Sequence, residues 1–184
     1  MITGPSGVGK GTLIRGLLER IAELELSVSA TTRPPRPGER DGVDYHFLTP
    51  KQFEERVNAG DFLEHASYSG HRYGTLTEEV QKRLDAGRAV VLEIELEGAR
   101  QVRRAMPEAV AVFIAPPSRE ALRARLVGRG TDPPQQVEDR LRTAEGELEA
   151  QHEFEHVVVN DRLEQATDEL VEIVGAAMAG SAAR

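Results

Sequence analysis

The sequence predicts an α/β protein: a largely parallel sheet with helices on both faces, an inserted mixed β segment, and an arginine-rich helical segment. Three observations carry that expectation. Apolar strands alternate with helix-patterned stretches along most of the chain, which is the rhythm of a parallel sheet covered on both sides. The stretch Gly4-Pro5-Ser6-Gly7-Val8-Gly9-Lys10-Gly11-Thr12 follows a short apolar strand and opens a helix. Between about residues 28 and 76, a proline-punctuated loop and a hairpin pattern interrupt the rhythm.

Taken in order, Met1, Ile2 and Thr3 leave only a very short strand before the glycine-rich loop, where a longer one is usual; either the chain begins late or its recorded start is not the natural one. After the loop, Leu13, Leu17, Ile21 and Leu24, helped by Ile14 and Leu18, recur at helical spacing. Leu26, Val28 and Ala30 then alternate with polar residues as a half-buried strand would. The run from Thr31 to Asp44 holds three prolines and two glycines, too punctuated for helix or central strand, and reads as an ordered loop. Thr49, Pro50 and Gln52 supply an N-cap, a first-turn proline and a capping-box partner for a helix that stops near Gly60. Phe62–Tyr68 and His71–Thr75 flank Ser69-Gly70 as the arms of a hairpin.

Thr77 is expected to cap the next helix, which ends by Gly87, and Ala89 to Leu92 form an apolar strand running into Glu93. A short helix follows to Met106, then a strand from Val110 to Ala115, and Pro116-Pro117-Ser118 introduces an arginine-rich helix. That pattern breaks between Gly128 and Pro134 and resumes to about Phe154. Val157 to Val159 read as a last buried strand, and Leu170, Val171, Val174 and Met178 mark a terminal helix that frays after Ala179.

Composition narrows the function. With 184 residues the chain fits one domain, and its formal charge of −8, from 23 Lys and Arg against 31 Asp and Glu, argues against general attraction to nucleic acid or an anionic membrane. A polyanionic ligand must then be met by a local cluster of arginines. The absence of cysteine excludes disulfides and thiolate metal sites. No apolar run has the length of a membrane span, and no basic-then-apolar leader is present, so a soluble cytoplasmic protein is expected. The five histidines form no H-E-x-x-H or comparable ligand set.

The loop from Gly4 to Thr12 nearly fits the phosphate-binding pattern G-x-x-x-x-G-K-[ST]. Its glycines let consecutive backbone N–H groups turn inward around a phosphate, the helix N-terminus adds partial positive charge, and Lys10 reaches the outer phosphates. One position departs: Gly11 stands where Ser or Thr normally offers a hydroxyl to magnesium, and Thr12, the nearest hydroxyl, lies about 100° round the helix.

Four features stand together: this loop, SVSATTRPPRPGERDGVDYHF, FLEHASYSGHRYGT and IAPPSREALRARLVGRGT. Together they closely resemble the guanylate kinase family, over essentially the whole chain after Thr3. The resemblance implies a nucleoside-monophosphate kinase fold with a P-loop core (1–28, 79–118 and 144–184), a GMP-binding region (29–78) and a helical lid (119–143). It implies transfer of a phosphoryl group from ATP to GMP, with dGMP a further expected acceptor and Mg2+ entering with ATP. Gly4, Pro5, Ser6, Gly7, Val8, Gly9, Lys10, Gly11 and Thr12 would hold ATP, with Asn160 near its adenine. Metal would be held mainly by nucleotide oxygens and water, Thr12 being the one candidate protein ligand.

By the same resemblance Arg33, Arg36, Tyr45 and Tyr73 hold the GMP phosphate, while Ser29, Glu64 and Thr75 read the base. Guanine presents N1–H and N2 donors beside an O6 acceptor, so a selective pocket needs a carboxylate and hydroxyls. The proline-stiffened loop limits the entropy that Arg33 and Arg36 lose on closing around a phosphate. Glu93 and Glu95 occupy acidic family positions, although the second is typically Asp and Glu97 replaces a commonly amide-bearing residue. Lys10, Arg125, Arg129 and Arg140 match the cations that meet the transferring phosphate, a reaction that asks a protein chiefly for positioned positive charge.

Two other readings compete. Guanylate-kinase-like domains also serve as scaffold modules that bind phosphorylated peptides, a role with no need for the intact Lys10 loop. The G-K-G-T ending resembles adenylate kinase, against which the guanine-type pocket residues weigh. The sequence leaves open whether the chain is a monomer or a homodimer.

Overall fold

The computed structural model describes residues 1–128 and 134–182. In chain order the elements begin β1 (Ile2–Thr3), α1 (Lys10–Arg20), β2 (Leu24–Leu26), β3 (Ala30–Thr31), β4 (His46–Phe47), α2 (Pro50–Ala59), β5 (Phe62–Tyr68) and β6 (His71–Leu76). They continue with α3 (Thr77–Asp85), β7 (Ala89–Val91), α4 (Leu96–Ala105), β8 (Val112–Ala115), α5 (Arg119–Gly128), α6 (Pro134–Glu149), β9 (His156–Val159) and α7 (Leu163–Ala182). A short 3₁₀ turn, Ala150–Glu153, separates α6 from β9. The strands and helices form two compact units, 1–22 with 110–184, and 23–109. Among the described residues, no helix is long and apolar enough to cross a membrane.

In the first unit β8 lies between β1 and β9, parallel to both, with Ile2 opposite Val112 and Ala115 opposite Val159. All four β8 residues, Val-Phe-Ile-Ala, are buried, as expected of a strand paired on both edges and covered on both faces. Strand β9 is less enclosed than its valines suggest: Val158 is buried, but Val159 is exposed. Helix α1 buries Leu13, Ile14 and Leu17 and packs against α7. The expected continuation of α1 through Ile21 to Leu24 is not observed: Ile21 is already extended, and Leu24 opens β2. Its burial comes from strand pairing, Leu24 opposite Ala89, so a helical spacing arose from two different elements. In place of the expected fraying after Ala179, α7 runs on through Ala182, in keeping with the helix propensity of its alanines.

The second unit holds a parallel pair, β2 with β7, and a mixed sheet of order β4-β3-β6-β5. The single half-buried strand expected over Leu26, Val28 and Ala30 is instead two, β2 and β3, with Leu26 exposed and Ser27 buried between them. Strands β5 and β6 form the expected hairpin, Tyr68 facing His71, with Ser69 and Gly70 both at positive φ as a tight turn requires. Helix α2 starts with a complete capping box, Thr49 and Gln52 satisfying each other's backbone N–H, and stops at left-handed Gly60. Thr77, in contrast, does not cap α3. Leu76, still extended at the end of β6, is the N-cap, and Thr77 N–H donates to Asp61 O at 2.9 Å, so the first helical amide already has an acceptor. The unit's apolar centre is Ala30, Phe53 and Leu76, with Leu48, Val57 and Phe62 packed against it. The Phe53 and Phe62 rings stack with centroids 4.5 Å apart, and the Arg72 guanidinium lies 4.6 Å over Phe53.

Candidate functional site

In the first unit, the loop between β1 and α1 is a backbone cradle. Gly4, Gly7 and Gly9 all have positive φ, and Gly9, left-handed at the N-cap of α1, leaves the helix start without a side chain in the way. A Cβ at Gly9 would stand 2.6 Å from Asn160 Nδ2, so that position is closed to larger residues on two counts. Lys10 is the first residue of α1 and is buried, with Nζ donating to Gly4 O at 2.5 Å, so its ammonium lies across the mouth of the loop.

Two distant residues close on the same loop. Asn160, after β9, donates from Nδ2 to Val8 O at 2.8 Å, and Arg125 on α5 donates to Val8 O at 3.2 Å and to Asn160 O at 2.8 Å. Lys10, Arg125 and Asn160 are therefore brought together with the loop. Arg140 lies half-buried on α6, and Arg129 lies outside the described residues. Gly11 and Thr12 are exposed, and the Thr12 hydroxyl accepts from Arg15 Nη2 at 3.4 Å. Gly11 brings no donor side chain and the Thr12 hydroxyl is exposed, so a metal at this loop would rest mainly on phosphate oxygens and water, with Thr12 the one candidate protein ligand.

In the second unit a cavity of about 220 Å³ is lined by Ser29, Tyr45, Glu64, Tyr73, Glu93 and Glu95. At its base Glu64, 4% exposed, accepts from the Thr75 hydroxyl at 2.7 Å. Burial pushes the Glu64 carboxyl up to about 7, and the neighbouring charge of Glu95 acts in the same direction. Burial likewise raises the Tyr45 hydroxyl, with Glu93 adding to the effect. Tyr45 and Tyr73 meet edge to face, centroids 6.2 Å apart, and Tyr68 packs on Tyr73 in the same manner at 6.5 Å.

Arg33 stands over Tyr45, its guanidinium 5.2 Å from the ring centre. Its Nη2 meets both Glu39 carboxylate oxygens, at 2.8 and 2.9 Å, and that hydrogen-bonded pairing raises the guanidinium's proton affinity further. Glu39 also accepts from the backbone N–H of Arg36 at 2.7 Å. Arg36 itself is exposed and does not line the cavity.

Several residues of these sites lie outside those that the sequence singles out. Glu39 holds the arginine loop in shape, and Ser27, Asp44 and Tyr68 line the cavity. Among the described residues the buried Ser27 hydroxyl has no hydrogen-bond partner; its place two residues before Ser29 in an extended segment is the signal that could have found it.

A profile of the guanylate kinase family matches residues 1–177. A guanylate kinase of Mycobacterium leprae (strain TN) is 54% identical over 184 residues, covering 99% of this chain and 88% of that one. One from Prochlorococcus marinus (strain MIT 9313) is 54% identical over 175 residues, covering 95% of this chain and 93% of the other. The crystal structure of guanylate kinase from Anaplasma phagocytophilum superposes with a TM-score of 0.77 at 32% identity, over 96% of this chain and 84% of that one. A loop shaped for phosphate, a cavity with a buried carboxylate and likeness along nearly the whole length agree on one assignment: the chain belongs to the guanylate kinase family.

Proposed function

We propose that this chain transfers the γ-phosphoryl group of ATP to GMP, and also to dGMP, giving ADP and the nucleoside diphosphate. The observation that carries the reading is Glu64, buried and paired with Thr75 beside Ser29 in the same cavity. An ionised carboxylate accepts from the N1–H and N2 donors of guanine, and the Ser29 hydroxyl can donate to O6. Adenine offers no donor at N1, so it would leave a desolvated carboxylate unpaired, at a cost that shape alone cannot match.

Charge sets the orientation of the acceptor. Glu64, Glu93 and Glu95 line the cavity and repel a phosphate, while Arg33 lies behind Tyr45 with a guanidinium fork suited to one. GMP therefore enters base first, with its phosphate left toward Arg33, Arg36 and the Tyr45 and Tyr73 hydroxyls. Glu39 holds one nitrogen of the Arg33 fork, Nη2, until the phosphate competes for it.

At the donor end, the glycine loop and the α1 N-terminus cradle the ATP phosphates, and Lys10 exchanges its bond to Gly4 O for the outer phosphate oxygens. Its charge, with that of Arg125, Arg129 and Arg140, offsets the negative charge that spreads over the transferring oxygens. Asn160 and Arg125 hold Val8 O, which keeps the loop in its phosphate-ready shape. Mg2+ supplies further charge neutralisation when ATP brings it. In this reading 29–78 is the acceptor region and 119–143 a lid over the donor, and the chain works in the cytoplasm.

A coupled ADP-release assay with GMP, AMP, CMP and UMP as acceptors tests the proposal. GMP should be preferred over AMP by about 10⁴ in kcat/KM, the discrimination expected of directed hydrogen bonds. Comparable rates with AMP would refute it, and no turnover with any acceptor would favour a binding module.

A further inference from the structure

We propose that Gly98 and Gln101, on helix α4, are positioning residues that set where the Glu64 carboxylate presents itself to the base. The proposal rests on the reading of Glu64 as the guanine contact. It begins with the sheet order: β5 pairs with β6 on one side only, and among the described residues its outer edge carries no further strand. An open edge next to a specificity carboxylate is a liability, because unpaired backbone groups leave the strand free to shift.

Gln101 closes that edge. The His65 N–H donates to Gln101 Oε1 at 3.1 Å, and Gln101 Nε2 donates to His65 O at 2.8 Å. One side-chain amide thus repeats the two-bond exchange of a β ladder, immediately after Glu64 in the chain. The helix is fixed in place by burial of Gly98, Ala99 and Val102, so the clamp has a rigid anchor.

One turn earlier on α4, Gly98 makes room for the carboxylate. A Cβ at this position would fall on Glu64 Oε2, and would stand 3.0 Å from Cδ and 3.4 Å from Cγ. The other carboxylate oxygen is already held by the Thr75 hydroxyl. Glu64 is therefore bounded on three sides, by Thr75, by the bare backbone of α4 and by the clamped strand that carries it. Because the first atoms a methyl at Gly98 meets belong to the tip of Glu64, the substitution displaces the carboxylate before it disturbs the surrounding backbone. Its consequence should appear in base recognition more than in stability.

The test measures GMP, AMP and ATP binding calorimetrically, without turnover, for wild type, Glu64→Ala, Gly98→Ala, the double variant and Gln101→Ala. Gly98→Ala should weaken GMP about tenfold or more, the cost of misplacing a charged hydrogen-bond acceptor, and leave AMP and ATP within about twofold. In the Glu64→Ala background it should cost GMP nothing further, since the group it displaces is gone. Gln101→Ala should weaken GMP severalfold and speed amide hydrogen exchange at His65.

Retention of GMP affinity in Gly98→Ala while Glu64→Ala loses it would overturn the proposal and leave the guanine reading intact. An equal loss in both backgrounds would also overturn it, by showing that Gly98 acts elsewhere. If Glu64→Ala binds GMP as wild type does, the guanine reading itself fails, and this proposal with it. Should a thermal melt show Gly98→Ala unfolded, Gln101→Ala decides: unchanged GMP affinity there refutes the positioning role.

Discussion

Replacing Glu64 with Gln should make the ligand-free protein more stable at high pH while removing its ability to read guanine. Glu64 is 4% exposed, and its carboxyl is raised from the ordinary 4.5 to about 7 by burial. Below pH 4.5 the group is protonated in both folded and unfolded chains and costs nothing. As pH rises from 4.5 to 7 the unfolded chain ionises first, so folding loses stability; above 7 both forms are ionised and the loss is complete. A shift of that size corresponds to about 3 kcal/mol. Gln keeps the acceptor for Thr75 and never ionises, so the stability gap between variant and wild type should widen in favour of Gln by about 2 kcal/mol between pH 5 and pH 8. Urea denaturation at the two pH values measures it. A gap that stays constant would refute the reasoning, since it would mean that Glu64 titrates alike in folded and unfolded chains. On the proposed reading of Glu64 the same ionisation would govern recognition: with a carboxyl near 7, the GMP-to-AMP affinity ratio should rise about tenfold from pH 6 to pH 8 in wild type and stay flat in Glu64→Gln. Taking the ratio cancels the phosphate titration the two nucleotides share.

Lys10→Ala should lower kcat by about 10² or more with GMP affinity unchanged, because on the proposed reading the ammonium at Gly4 O would serve the donor phosphates; near-normal turnover would remove that role. Arg33→Lys should weaken GMP about tenfold, since an ammonium cannot offer a phosphate the two parallel N–H prongs of a guanidinium, although it could still meet Glu39 as Nη2 does; unchanged titration would reduce Arg33 to a structural tie for its loop. Phe53→Ala should cost about 3–5 kcal/mol in urea denaturation, as it empties the centre of the second unit's apolar cluster and unstacks Phe62; a cost under about 1 kcal/mol would mean the cluster repacks freely.

What the sequence disclosed follows the range of the interaction involved. The Thr49 capping box, the Ser69-Gly70 turn and the glycines before α1 are each decided within about four residues, and each stands where the residues suggested. The misreadings arise where a distant partner overrides the local signal. Thr77 is a good capping residue, but Asp61 O already serves its amide. Leu24 keeps helical spacing with Leu17, but β7 captures it.

The site divides the same way. Guanine's chemistry called for a carboxylate and hydroxyls, the family resemblance supplied the positions and the tyrosines, and Ser29, Tyr45, Glu64, Tyr73, Glu93 and Glu95 do share one cavity. What the pattern along β5 could not convey is which of its polar side chains is enclosed: Glu64 is buried, whereas Ser67 on the same strand is exposed. Alternation along the strand puts the two on opposite faces, but it does not say which face is covered, or how completely. Glu64 is buried because α4 lies against it with no side chain at Gly98, and because Gln101 holds the strand edge at His65. A carboxylate that reads a base needs the desolvation that makes its hydrogen bonds selective, and that desolvation comes from residues that never touch the base. On the proposed reading, recognition in this cavity would then depend on the packing between α4 and β5 as much as on the carboxylate, and a motif centred on Glu64 alone would name the contact without explaining its strength.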